Sequence, residues 1–185
     1  MVRIIMNGCN GHMGRVISEL VEKDENAEIA AGIDVADIVK FIIIRFIQIV
    51  FDCDKEADVM IDFSSPKATD NVLKYCVEKK LPLVLCTTGL SEEQLSCVNE
   101  AAKETAVLRS ANMSLGINTL LKLLQDAAKV LATAGFDMEI VERHHNQKID
   151  APSGTAILLA DAVNEGVGGD LEYVYDRSQV RQKKR

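Results

Sequence analysis

The chain has 185 residues, 48% hydrophobic and 26% charged, an ordinary balance for a globular protein. Its formal net charge of -7, pI near 5.0 and aromatic content of 4% without tryptophan argue against binding to nucleic acid or to an anionic membrane surface. The five cysteines form no C-x-x-C pair and read as reduced thiols of a cytoplasmic protein, and the start MVRIIMNGCNG lacks a signal peptide's basic region and cleavage site.

In chain order, Val2–Met6 is a short apolar run that ends at a glycine loop. Helical spacing over Arg15–Lys23 puts Val16, Leu20 and Val21 on one side. Ala27–Ile33 reads as a strand ending at Asp34, and Asp58–Phe63 as a buried strand. Pro66 can open a helix running to about Lys80. Leu81–Cys86 is a strand closed by Thr87, Thr88 and Gly89. Ser91 with Gln94 makes a capping box for a helix to about Thr105, and Ala106–Ser110 is a further strand. Short apolar strands alternating with helices predict a parallel sheet covered on both faces. The segment Phe41–Phe51, FIIIRFIQIVF, falls short of the ~20 apolar residues of a membrane span and is expected to be a buried element of the sheet or its cover.

After Asn112 the pattern changes. Gly116–Ala132 predicts a long amphipathic helix, Phe136–Arg143 a strand, and about Thr155–Asn164 another helix. The predicted division is therefore an α/β, Rossmann-type domain over residues 1–112 and an α+β substrate domain over 113–185.

Gly8, Gly11 and Gly14 lie between the first strand and the first helix, spaced G-x-x-G-x-x-G. A turn of this kind lets backbone approach a pyrophosphate that rests on the helix N-terminus. Asp34 follows about 20 residues on, where an acid accepts hydrogen bonds from adenosine ribose hydroxyls. Strand, helix and acid together favour a dinucleotide over a plain tight turn. Val35 occupies the position where an arginine would pair with a 2′-phosphate, which favours NADH over NADPH, although Lys40 or Arg45 could reach that phosphate. Two further loops follow predicted strands: Cys86, Thr87 and Thr88 offer hydroxyls and amides near a nicotinamide ribose, and Ser110, Ala111, Asn112 and Met113 can line the nicotinamide face.

The densest chemistry is EIVERHHNQKIDAPSGTA, over Glu139–Ala156. Arg143, His144, His145 and Lys148 make a basic cluster in an acidic chain, and Ser153, Gly154 and Thr155 supply the amides and hydroxyls of a helix start. Cations beside a helix N-terminus suit carboxylates, and histidine and lysine can move protons near neutral pH. No metal is expected, because neighbouring strand histidines point apart and no third ligand has the usual spacing.

Together NGCNGHMGR at Asn7–Arg15, VMIDFSSPKAT at Val59–Thr69, CTTG at Cys86–Gly89, SANMSLGIN at Ser110–Asn118 and ERHHNQKIDAPSGTA at Glu142–Ala156 resemble the 4-hydroxy-tetrahydrodipicolinate reductase family, the dihydrodipicolinate reductases of bacterial lysine and diaminopimelate synthesis. The resemblance implies hydride transfer from NADH or NADPH to a cyclic, unsaturated dicarboxylate. It implies that His144 is a proton donor/acceptor and Lys148 a proton donor, and that His145, Gly154 and Thr155 hold the substrate carboxylates. It implies cofactor contacts at Gly8, Cys9, Asn10, Gly11, His12, Met13, Asp34, Cys86, Thr87, Thr88, Ser110, Ala111, Asn112 and Met113. His12 stands where the family often has arginine, and Cys86 where it usually has glycine. The family continues beyond the position of Arg185 with further strands that complete the substrate domain and build a homotetramer. Two competing expectations are a different Rossmann dehydrogenase of amino or imino acids, and a dinucleotide-binding module without catalysis.

Overall fold

The apolar run VRIIMN forms the first strand, β1 (Val2–Asn7), and its burial deepens along its length until Ile5 and Met6 are wholly enclosed. The computed structural model describes residues 1–35, 46–146 and 151–175. Within them β1 is followed by α1 (His12–Val21), β2 (Ala27–Ile33), β3 (Phe46–Ile47), a 3-10 turn (Val50–Asp52), β4 (Val59–Asp62), α2 (Pro66–Lys79), β5 (Leu83–Leu85), α3 (Glu92–Ala101) and β6 (Val107–Arg109). Two helices follow, α4 (Leu115–Thr133) and α5 (Gly154–Gly166).

The six strands form one sheet in the order β3-β2-β1-β4-β5-β6, with every pairing parallel. This is the order of a Rossmann sheet, which reverses direction at β1, so the carboxyl ends of β1 and β4 flank the switch point where ligands of such sheets bind. Ile5, Met60, Leu83 and Leu85 from the strands pack with Val72, Leu73 and Cys76 of α2 and Val98 and Ala101 of α3. Each large side chain so buried contributes about 1.5–3 kcal/mol.

Local chemistry sets the helix ends. Pro66 opens α2, and Lys80, at φ 51, closes it in the left-handed region while Leu81 N donates back to Cys76 O at 2.8 Å. The Ser91–Gln94 capping box forms at α3 as its sequence predicts, and Gln94 Nε2 also donates to Pro66 O at 2.7 Å, tying the two helix starts together. Of the apolar segment Phe41–Phe51, residues 41–45 lie outside the described set, β3 adds an edge strand, and Ile47 and Val50 are buried.

The chain divides into two compact units between Ala111 and Asn112. The second unit is helical among the described residues. Its two helices touch closely, since a Cβ on Gly166 would stand 2.5 Å from Gln125 O, and Ala128 and Ala162 are buried. The strand expected over Phe136–Arg143 is absent: a strand needs a ladder partner, and no described segment of this unit supplies one. The fold is thus a Rossmann-like parallel α/β domain followed by a smaller α-helical one.

Candidate active site

In a parallel sheet all strands deliver their following loops to one edge. Gly8 follows β1, Asp34 follows β2, Cys86 follows β5 and Ser110 follows β6, so topology gathers most of the residues expected at a dinucleotide along the carboxyl edge of the first unit.

The glycine loop is built on close approach. Gly8 has φ 78, and a Cβ there would stand 2.6 Å from Phe63 O. A Cβ on Gly14 would overlap Gly8 O and the backbone of Cys9, so only glycine lets α1 seat this tightly on the loop. Gly8 N and Cys9 N both donate to Ile33 O, at 2.8 and 3.2 Å, which fastens the loop to the end of β2. Asn10 N donates to Asp34 Oδ2 at 2.9 Å, and Arg15 Nε donates to Asn10 O at 2.8 Å. The acid expected to meet a ribose therefore also holds the loop expected to meet the phosphates. Gly11, the N-cap of α1, has no side chain to satisfy the first helix amides. Gly11, His12 and Met13 are exposed, so this end is open to an anionic group. Glycines that let the loop pack this tightly against β4 and α1, ending on uncapped amides at an exposed helix start, fit the turn that receives a pyrophosphate.

Cys86 and Thr87 are buried, and Thr88 is exposed. Burial raises the thiols of Cys86 and Cys9 to about 11, with the nearby carboxylates of Asp62 and Asp34 respectively adding to it. Burial thus disfavours the thiolate at both, which argues against a nucleophilic role for either. The residue that sequence reasoning passed over is Asp62, at the carboxyl end of β4. It is fully buried and accepts from Asn7 Nδ2 at 2.6 Å, Ser64 Oγ at 2.6 Å and Thr87 Oγ1 at 2.6 Å. Its mark in the sequence was an acid closing an otherwise apolar strand, VMID.

In the second unit Ser153 caps α5, its Oγ accepting from Ala156 N at 3.1 Å. Asn112 Nδ2 donates to Thr155 Oγ1 at 3.1 Å, bringing together a residue expected at the cofactor and one expected at the substrate. His144 and His145 are exposed on chain without regular secondary structure, and Lys148 lies outside the described residues, as do Lys40 and Arg45. Glu142 was also missed. Its Oε2 lies 2.7 Å from His144 Nε2, and its Oε1 accepts from Ser153 N at 2.9 Å. These contacts, the one to His144 foremost, hold its carboxyl down to about 2. The period of two that places alternate side chains on one face of an extended chain would have paired Glu142 with His144.

Comparison with known proteins accounts for both units. A family model described as the N-terminus of dihydrodipicolinate reductase matches residues 2–113, and its C-terminal counterpart matches residues 116–184. The 4-hydroxy-tetrahydrodipicolinate reductase of Caldanaerobacter subterraneus is 48% identical over 186 residues, spanning 100% of this chain and 72% of that protein. That of Clostridium tetani is 47% identical over 178 residues, 96% of this chain and 69% of its own. Among solved structures, the dipicolinate-bound dihydrodipicolinate reductase of Paenisporosarcina sp. TG-14 superposes with a TM-score of 0.68 at 26% identity, covering 98% of this chain and 72% of that one. The WlbA dehydrogenase of Chromobactrium violaceum, solved with NADH and UDP-GlcNAcA, shares the fold at a TM-score of 0.53 and 17% identity over 69% of this chain and 40% of that one. With each half matched by the corresponding half of one family and full-length relatives nearly half identical, the chain belongs to the dihydrodipicolinate reductase family of NAD(P)H-dependent oxidoreductases.

Proposed function

We propose that the chain reduces 4-hydroxy-tetrahydrodipicolinate to tetrahydrodipicolinate, a step of lysine and diaminopimelate synthesis, with NADH favoured over NADPH. The observation that carries this reading is the Glu142 carboxylate, which binds His144 and the amide of Ser153 at once and so couples a proton-moving ring to the helix start that suits a carboxylate. An ionised carboxylate only accepts hydrogen bonds, so Nε2 of His144 carries the proton of that contact. The other ring nitrogen, Nδ1, is then the atom that hands a proton to the substrate or takes one back. Ser153, Gly154 and Thr155 open α5, and the uncommitted amides of its first turn would hold a substrate carboxylate with His145 and Lys148 as cationic neighbours. Asn112, bonded to Thr155, keeps that turn in position.

Gly8, Cys9, Asn10, Gly11, His12 and Met13 would hold the pyrophosphate of the nucleotide, with Asp34 at its adenosine ribose. Cys86, Thr87, Thr88, Ser110, Ala111, Asn112 and Met113 would meet its nicotinamide end. Bound there, the cofactor supplies a hydride. Val35, exposed beside Asp34, brings no positive charge for a 2′-phosphate, which supports NADH. Five free cysteines suit a reducing cytoplasmic setting.

The test is NADH and NADPH oxidation with freshly generated substrate. Wild type turns over with at least a tenfold preference for NADH. His144→Ala and Lys148→Ala each lower kcat by about 10²-fold or more while NADH still binds. Turnover of both variants at the wild-type rate would refute the assigned roles. Oxidation only with an amino or imino acid would move the chain to another substrate class, and NADH binding without any consumption would make it a binding module.

A further inference from the structure

Asp62 is the one fully buried carboxylate of the described residues, and no catalytic role assigned above uses it. It stands where the sheet order reverses, beside the end of β1 and one strand from β5. Oδ1 accepts from Asn7 Nδ2 and Ser64 Oγ, both at 2.6 Å, and more weakly from Ser64 N at 3.3 Å. Oδ2 accepts from Thr87 Oγ1 at 2.6 Å. Three strand ends therefore converge on one side chain.

The chemistry of those contacts has a direction. The Asn7 amide nitrogen can only donate, and the hydroxyls of Ser64 and Thr87 are placed as donors to the two carboxyl oxygens. A serine or threonine hydroxyl has one proton. Once that proton points at Asp62, the oxygen can meet a ligand only through its lone pairs. The glycine loop has the opposite polarity: Gly11 lends α1 no capping side chain, and its first amides are donors. The carboxyl edge of the sheet thus presents donors at the end of β1 and acceptors at the ends of β4 and β5.

We infer that Asp62 is a positioning residue that sets the hydrogen-bond polarity of the nicotinamide end of the site, by committing the hydroxyl protons of Ser64 and Thr87 so that they accept from ribose hydroxyls or the carboxamide of the cofactor. This rests on the dinucleotide reading above. Phosphates, which only accept, are repelled from the Ser64–Thr87 end and drawn to the glycine loop, so Asp62 helps decide which way round the dinucleotide lies. Asn keeps the shape of Asp62 but adds a donor, and that donor frees one hydroxyl proton to point the wrong way.

The experiment measures NADH affinity by nicotinamide fluorescence and ADP affinity by displacement, in wild type, Asp62→Asn, Thr87→Val, Thr87→Ser and the Asp62→Asn/Thr87→Val double variant. Asp62→Asn and Thr87→Val should each weaken NADH about tenfold, close to 1.4 kcal/mol, and leave ADP, which lacks the nicotinamide end, within twofold. Thr87→Ser should restore NADH affinity. The double variant should bind no more weakly than the weaker single one, because both changes act through one hydroxyl. Equal losses for NADH and ADP would make Asp62 a merely structural residue, and wild-type NADH affinity in Asp62→Asn would overturn the proposal outright. If Asp62→Asn does not fold, Thr87→Val and Thr87→Ser decide by the same NADH-against-ADP contrast. Failure of wild type to bind either nucleotide would defeat the dinucleotide reading itself, a result distinct from any of these.

Discussion

The two units hold their polar groups in opposite ways. In the first, the edge proposed to meet the cofactor is built into the sheet: Asn7, Asp62 and Thr87 are buried, linked by hydrogen bonds to Asp62 and supported by strands that form the core. In the second, His144 and His145 sit exposed on chain without a ladder, and Glu142 is what fixes the ring of His144. A parallel sheet pre-organises whatever follows its strands, because the register of the core dictates where each loop begins. A motif outside helix and sheet lacks that register and depends on side-chain bonds to orient it. The proposed cofactor end should therefore fail by losing structure, and the proposed proton-moving end by losing geometry while the fold survives.

The largest effect expected is at Gly14. Gly14→Ala puts a methyl group into the backbone of Gly8 and Cys9. It should destabilise the first unit by about 3 kcal/mol and abolish NADH binding, which denaturant unfolding and fluorescence titration would read together. A variant with wild-type stability and affinity would show that the loop is looser than its geometry. Asp34→Ala, which also frees the Asn10 amide, should weaken NADH about tenfold without a comparable loss in kcat at saturation.

Glu142→Gln tests the other side of the comparison. It should lower kcat several-fold and leave NADH affinity unchanged, since it disturbs the ring and not the sheet edge. It also carries a pH signature. The carboxyl ordinarily titrates at 4.5 and is held down to about 2 here, so its contacts stabilise the fold fully above pH 4.5 and that contribution is lost as pH falls toward 2. Thermal melts across that window should converge for wild type and Glu142→Gln as acid is added. Parallel curves would mean that the Glu142 contacts contribute nothing in solution. The smallest effect is at Thr69 of α2, whose hydroxyl is buried without a partner. Thr69→Val should be neutral or stabilise by up to about 1 kcal/mol with no change in kinetics, and a clear loss of stability would reveal a bond to that hydroxyl.

Much of the first unit was legible in the sequence. Ala27–Ile33 and Pro66 as a helix start follow from apolar runs and from proline's fixed φ, and the Ser91–Gln94 box from side chains acting within one turn. These are local effects, and local effects survive without knowledge of the fold. The strand expected over Phe136–Arg143 did not form because a strand is a relation between two segments, and alternation in one of them says nothing about the other. Asp62 escaped notice for a related reason: it looks like an ordinary acid until its donors, up to 55 residues away in sequence, are brought beside it.

The sequence by itself determined the alternation of strands and helices, the need for glycine after β1, and a basic motif before a capped helix, because each is a property of neighbours along the chain. Only the tertiary structure decided that Asn7, Ser64 and Thr87 share one network around the buried Asp62 and that Glu142 joins His144 to Ser153. Hydrogen bonds form across space at about 3 Å, and the separation of their partners along the chain carries no record of that distance.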